Sequence, residues 1–340
     1  LIMIIGLVIL YSTSAYNGEV KFHDSFYYLK KQLFATGLGV VAMFVMAGTD
    51  YHFWKKFAIP AYLGAILLSI AVVLFGDEYN GSKRWLSLGP FSFQPSEYAK
   101  VAVILFLAYL VTRNVEKMSS IWTMLRIMLC VLPVVGLVGA SNLSTAIIIL
   151  GIAAVLIFVA SPRYAQFIWM GVLGCGFMAV FLALESYRLE RIAIWRNPEK
   201  YEKGYQTLQG LYAIGSGGLF GRGLGESIQK LGFVPEAQND MIFSIICEEL
   251  GLVGAGFVLI LFLILIWRFF VIATHAEDLF GALIGAGAMA HMMIQVILNI
   301  SVVTNTIPNT GITLPFISYG GTSVVFLLLE MGLVLSVSAG

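Results

Sequence analysis

Long apolar runs without a charge constrain this chain more than any other feature. Residues 57–75 and 144–160 contain no Asp, Glu, Lys or Arg. About 20 apolar residues cross the hydrocarbon core of a bilayer. The whole chain is 59% hydrophobic and 11% charged, against about 25% charged in a soluble domain. So few charges cannot cover a water-facing surface, so lipid must be the solvent. Backbone in lipid has to satisfy its own hydrogen bonds, which favours helices. A membrane β-barrel would instead alternate apolar and polar residues in segments of about ten. The expectation is an all-α polytopic membrane protein, one domain over 1–340.

Ten spans can be placed, at 1–15, 33–49, 57–75, 97–112, 121–139, 144–160, 165–184, 241–268, 280–303 and 322–340. Leu1 already lies inside an apolar run, which reads as a trimmed N-terminus and not as a signal peptide. The loop between the seventh and eighth helices, 185–240, is long, charged and glycine-rich. Short loops at 50–56, 113–120, 161–165 and 268–278 hold Lys55, Lys56, Arg113, Lys117, Arg163 and Arg268. Lys and Arg mark cytoplasmic loops, so the 185–240 loop is expected outside. The alternate loops hold Lys21, Lys30, Lys31, Lys83 and Arg84 over about twice the length, so the bias is weak. No internal repeat supports an inverted-repeat transporter. The net charge of +1 argues against a nucleic-acid partner. Cys130, Cys175 and Cys247 have no metal-ligand spacing and read as small apolar residues.

Four constellations could carry chemistry. The first is Lys83-Arg84-Trp85-Leu86 with Gln94-Pro95-Ser96-Glu97 and Lys100. Pro95 suits a first helical turn, and Glu97 and Lys100 then share one helix face. They are either an exposed ion pair or a charged pair at membrane depth, where ionisable groups are expensive and functional. The second is the loop itself, with Arg188, Arg191 and Arg196 early and Gly215–Gly225 later. That glycine run lacks the preceding strand and following Gly-Lys-Ser/Thr of a nucleotide loop. The third is Pro235-Glu236-Ala237-Gln238-Asn239-Asp240 at the threshold of a span. Asp240 could be a helix cap or a carboxylate held at the membrane–water boundary. The fourth is Asn305–Ser323, uncharged but dense in Pro, Gly and hydroxyls. Irregular backbone at membrane depth is tolerated only against protein or a water-filled cavity, so this segment either lines a site or is an external turn. His291, Gln295 and Asn299 recur every four residues and read as helix–helix glue.

Together these segments resemble the SEDS family (shape, elongation, division and sporulation), whose members include FtsW, RodA and SpoVE. The matching pieces are Lys83-Arg84-Trp85-Leu86, Gln94-Pro95-Ser96-Glu97, Pro235-Glu236-Ala237 with Asp240, Glu248-Glu249-Leu250-Gly251 and Leu314-Pro315-Phe316-Ile317-Ser318-Tyr319-Gly320-Gly321. They run in order over essentially the whole chain. Gly204-Tyr205-Gln206 and Leu211–Gly218 lean towards FtsW and SpoVE. One departure stands out: Asn142 replaces an Asp that is common in the family, which puts any role for a charge there in doubt. Asn239 also stands where a Thr is common.

The resemblance implies ten helices with cytoplasmic termini in the bacterial cytoplasmic membrane. It also implies a peptidoglycan glycosyltransferase that polymerises lipid II into β-1,4 glycan strands at the outer face, in division or related wall synthesis. Partners would be a class B penicillin-binding protein, undecaprenyl-linked glycan and other division or elongation proteins. An α-linked donor giving a β bond requires inversion. Because diphosphate leaves readily, one base and positive charge near the diphosphate are sufficient. Asp240 is the expected base. Arg84, Trp85, Glu97, Lys100, Arg191, Gln238, Ser318, Gly320 and Gly321 are the expected substrate-binding residues. No metal cluster is evident, although Mg2+ or Mn2+ could share the diphosphate charge. The alternatives are a lipid II flippase, which would move labelled lipid II without chain growth, and a non-catalytic transpeptidase scaffold, which would tolerate loss of Asp240.

Overall fold

In the computed structural model, which describes residues 1–79, 82–88, 91–161, 171, 176 and 192–340, the chain is predominantly helical. The long helices are α1 (Ile2–Phe22), α2 (Tyr27–Ala47), α4 (Ala58–Phe75), α5 (Pro95–Arg113), α6 (Ile121–Ser141), α7 (Leu143–Ala160), α9 (Ile242–His275), α10 (Leu279–Val303) and α11 (Gly321–Ala339). Short helices α3 (Tyr51–Lys55) and α8 (Tyr205–Gly217) lie among them. Nine of the ten expected spans fall on these long helices. The span at 165–184 lies outside the described residues. Among the described residues eight helices are long and apolar enough to cross a membrane. α1 is as long, but carries Ser12, Thr13, Ser14, Asn17, Glu19 and Lys21 in its second half. The protein is a multi-pass membrane protein.

Local sequence explains several boundaries. α2 begins six residues before its apolar run, because Lys30 and Lys31 prolong the helix by carrying their charges outward. Lys30 pairs with Asp24 at 2.7 Å and Lys31 donates to the Tyr27 hydroxyl at 2.6 Å. α5 starts on Pro95, with Glu97 in its positively polarised first turn. Asn142 caps α7 by accepting from the Thr145 amide at 3.3 Å. An amide serves that purpose as well as a carboxylate, which accounts for Asn142 without any charge.

The all-α expectation needs one amendment. After α4 the chain forms a three-stranded antiparallel meander, β1 (Asp77–Tyr79), β2 (Ser82–Leu88) and β3 (Phe91–Phe93). Arg84 and Trp85 sit on β2. Strands this short were hidden because turn residues interrupt them.

The chain divides into two compact units. One comprises Leu1–Phe34, Ile168–Ile264 and Gln295–Gly320, and the other Ala35–Phe167, Leu265–Ile294 and Gly321–Gly340. In the second unit α5 is buried along nearly its whole length, with Ala99, Val103, Leu107 and Ala108 at 0% exposure. α7 contributes Ile149, Ile152, Ala153 and Leu156 to the same core.

Candidate active site

In the first unit, Asp240 stands two residues before α9 begins and is 8% exposed. Its carboxylate Oδ1 accepts from Gln206 Nε2 at 3.3 Å. Its carbonyl accepts from Asn299 Nδ2 at 2.8 Å, and the same amide donates to Ile312 O at 2.7 Å. Asn299 is fully buried on α10, so the backbone at Asp240 is pinned from the protein interior.

The loop carrying Asp240 is tied down along its length. Ser318 Oγ donates to Asn239 O at 2.6 Å and accepts from the Leu314 amide at 2.8 Å. The Tyr319 amide donates to Gln238 O at 2.9 Å. Gln238 Oε1 accepts from Asn17 Nδ2 at 3.1 Å. Gln32 closes the ring, accepting from the Gly320 amide at 3.1 Å and donating to Ser318 O at 3.3 Å. Glu236 adopts a left-handed φ of 52°, which the Asn239 side chain supports through its bond to Glu236 Oε2. Unpaired buried polar groups are costly, so this network holds the loop in one shape. Gln238 and Ser318, expected to touch substrate, are buried and engaged in holding that loop. The irregular 305–320 segment is likewise a scaffold for Asp240.

A second polar cluster in this unit lies at the end of the first part of α9. Glu248 is 1% exposed and accepts from Ser227 Oγ, from the Ile228 and Gln229 amides at 3.3 Å each and from Ser216 Oγ at 3.4 Å. Arg222 Nε stands 3.7 Å from it. Glu249, also 1% exposed, pairs with Lys230 Nζ at 2.7 Å and accepts from Ser12 Oγ at 2.7 Å. Two adjacent carboxylates are buried together because α9 breaks at Gly251 (φ 68°, ψ −171°). There the glycine-rich loop inserts: the Arg222 and Gly223 amides donate to the Glu248 and Glu249 carbonyls at 2.9 and 3.0 Å, and the Leu252 and Val253 amides donate to Gly218 and Leu219 carbonyls at 2.9 and 3.0 Å. The glycine run is therefore backbone that replaces lost helical hydrogen bonds.

In the second unit, Lys100 Nζ lies 2.9 Å from Glu97 Oε1, with side chains 2% and 7% exposed. The pair is thus buried within the protein and is not an exposed ion pair. His291 Nδ1 contacts Glu330 Oε2 at 2.7 Å, both side chains 2% exposed; no local pattern marks Glu330, 39 positions away, as its partner. Arg84 is only partly buried, and its Nε donates to Ser141 O at 3.2 Å. Arg84, Ser69, Pro95, Ser96, Ser141 and Asn142 line a narrow cleft. Trp85 is partly exposed, and Gly321 opens α11 with the Ala35 side chain 3.3 Å from where a Cβ would stand. Arg191 lies outside the described residues. Gln295, at the edge of the first unit, donates to Thr313 O at 3.1 Å; of the three α10 polar residues His291 meets another helix, while Gln295 and Asn299 hold irregular backbone, which corrects the helix–helix reading for those two. Among the described residues no group of His, Cys, Asp and Glu is placed to hold a metal ion.

Known proteins resemble this chain in both sequence and structure. The family model described as cell cycle protein, covering FtsW, RodA and SpoVE, matches residues 1–340. Stage V sporulation protein E of Bacillus subtilis (strain 168) is 41% identical over 99% of this chain and 94% of its own length. A probable peptidoglycan glycosyltransferase FtsW of Geobacter sp. (strain M18) is 36% identical over 98% of this chain and 92% of that one. Among solved structures, a chain from work on the structural coordination of polymerization and crosslinking by a peptidoglycan synthase complex superposes with a TM-score of 0.83, at 30% identity over 99% of this chain and 94% of that one. The rod shape determining protein RodA of Thermus thermophilus superposes with a TM-score of 0.72, at 29% identity over 99% of this chain and 93% of that one.

Proposed function

The chain belongs to the cell cycle protein family of FtsW, RodA and SpoVE, and from that premise we infer that it is a peptidoglycan glycosyltransferase of bacterial wall synthesis. The substrate in this reading is lipid II, and the product a β-1,4 glycan strand. The observation that carries the reading is Asp240, a buried carboxylate whose backbone and side chain are both held by uncharged amides.

The reaction joins an acceptor sugar hydroxyl to an anomeric carbon that loses a lipid diphosphate. Asp240 takes the hydroxyl proton as the C–O bond forms, and the diphosphate departs with the electron pair of the broken bond. Attack opposite the leaving group inverts the anomeric centre. The Gln206 amide gives Oδ1 a fixed donor, which suits a base that has to meet one hydroxyl. Arg84, partly exposed beside a cleft, is the better candidate for the diphosphate. Lys100 already has its charge matched by Glu97 in a dry site. Mg2+ or Mn2+ would add to the same stabilisation. The enzyme would sit in the bacterial cytoplasmic membrane with Asp240 facing outside, where lipid-linked sugar is presented, and would work with a class B penicillin-binding protein that cross-links the strands.

The test is polymerisation of lipid II by the purified protein with that partner. Asp240→Ala is expected to lose at least about 100-fold in rate, the usual scale for a general base; a wild-type rate would overturn the assignment. The buried ion pairs of the second unit are the one observation on the side of translocation. Movement of labelled lipid II across liposomes without chain growth would favour that reading instead.

A further inference from the structure

Gln206 enters the sequence only as part of a Gly-Tyr-Gln motif, yet three segments of the first unit meet at its side chain. Nε2 donates to Pro235 O at 3.2 Å and to Asp240 Oδ1 at 3.3 Å, and Oε1 accepts from Asn309 Nδ2 at 3.2 Å. The partners dictate which way round the amide lies. A carbonyl and a carboxylate only accept, so the nitrogen must face them. The amide therefore bridges the backbone at the start of the Asp240 loop to the carboxylate at its end.

We propose that Gln206 is the positioning residue for Asp240, fixing the carboxylate so that it meets the acceptor hydroxyl in one orientation. The inference rests on the reading of Asp240 as the base. A carboxylate turns about its last torsion in a broad, two-fold well, so burial alone does not aim it. A donor fixed at Oδ1 does. The donor itself is well anchored. Gln206 is the second residue of α8, whose Thr207, Gly210, Ala213 and Gly217 are buried. Gly210 packs against Met241 at the foot of α9, where an added Cβ would come within 2.4 Å of the Met241 methyl. A site held by a packed helix is more exact than one held by a free loop. Asn309 holds the far end of the amide and prevents it from flipping. Glu236, four residues earlier, is the other carboxylate of this loop, and its Oε2 is bound by Asn239.

The experiment compares Gln206→Ala, Gln206→Glu and Asp240→Ala in the purified complex with lipid II, reading kcat, KM, the pH profile of kcat and the melting temperature. Gln206→Ala is expected to lower kcat by about 10- to 100-fold, the cost of a misaimed catalytic group, with KM unchanged. Gln206→Glu places a like charge beside Asp240. That raises the pKa of the base, so the acid limb of the profile moves to higher pH by about one unit. A purely structural role would lower the melting temperature and leave the kcat of the folded Gln206→Ala protein at the wild-type value. Wild-type kcat in Gln206→Ala overturns the proposal. If Gln206→Ala folds poorly, an unmoved acid limb in Gln206→Glu overturns it instead. Should Asp240→Ala remain active, the base assignment itself falls. Should it be inactive while both Gln206 variants behave as wild type, only the positioning role falls.

Discussion

At the scale of single residues, the proposed base and the buried ion pair of the second unit stand in different surroundings. Asp240 accepts from Gln206 and its carbonyl from Asn299, whereas Lys100 and Glu97 are buried 2.9 Å apart. Removing one partner of such a pair strands the other, at a cost of about 3–5 kcal/mol. Lys100→Met should therefore lower the melting temperature of the detergent-solubilised protein sharply, and Glu97→Gln added to it should restore much of the loss. A Lys100→Met protein that melts like wild type would mean that the pair contributes nothing to the fold. Asp240 and the Glu97–Lys100 pair were legible because charges are conspicuous in an apolar chain. The partners of Asp240 were not. Gln206 and Asn299 are 34 and 59 positions away, and Asn309 lies 103 positions from Gln206; no local pattern announces such meetings. Gln238 and Ser318 were noticed, but only the structure gives them the task of holding the loop.

At the scale of elements, the periodicity of apolar residues located the long helices, because in lipid a helix is the only economical way to bond the backbone. It could not locate the break within α9. The 34 residues of α9 would extend about 51 Å as one continuous helix, well beyond the roughly 30 Å bilayer core. The break at Gly251 leaves residues 252–275 as a run of spanning length. The left-handed φ there needs glycine, and a Cβ would stand 2.3 Å from the Gly221 nitrogen and 2.5 Å from the Leu219 oxygen. Gly251→Ala should expel the glycine-rich loop and expose the Glu248 and Glu249 cluster. The strain alone is about 1–3 kcal/mol, so a clearly lowered melting temperature with reduced polymerisation is the expected outcome. An unaltered melting temperature would show that the loop does not depend on that contact. The short meander was missed for the opposite reason. Two of its three strands have only three residues, which leaves too little alternation to detect.

At the scale of the whole molecule, the scarcity of charge established a multi-pass membrane protein, and the ordered motifs established the family. Orientation rests on the weak Lys and Arg bias, and it can be measured. Glu226 and Lys117 are both exposed, and the account puts them on opposite sides of the membrane. A cysteine at Glu226 should react with an impermeant maleimide in whole cells, and one at Lys117 only after lysis. The reverse pattern would turn the protein over and place Asp240 on the wrong side for lipid-linked sugar. The central claim is that this carboxylate does the chemistry of strand growth. Its most direct measurement is the rate of glycan polymerisation from lipid II by the purified complex carrying Asp240→Asn, which keeps the shape and removes the charge. The account predicts a folded protein with wild-type melting temperature and no strands above background. Strands formed at the wild-type rate would contradict it.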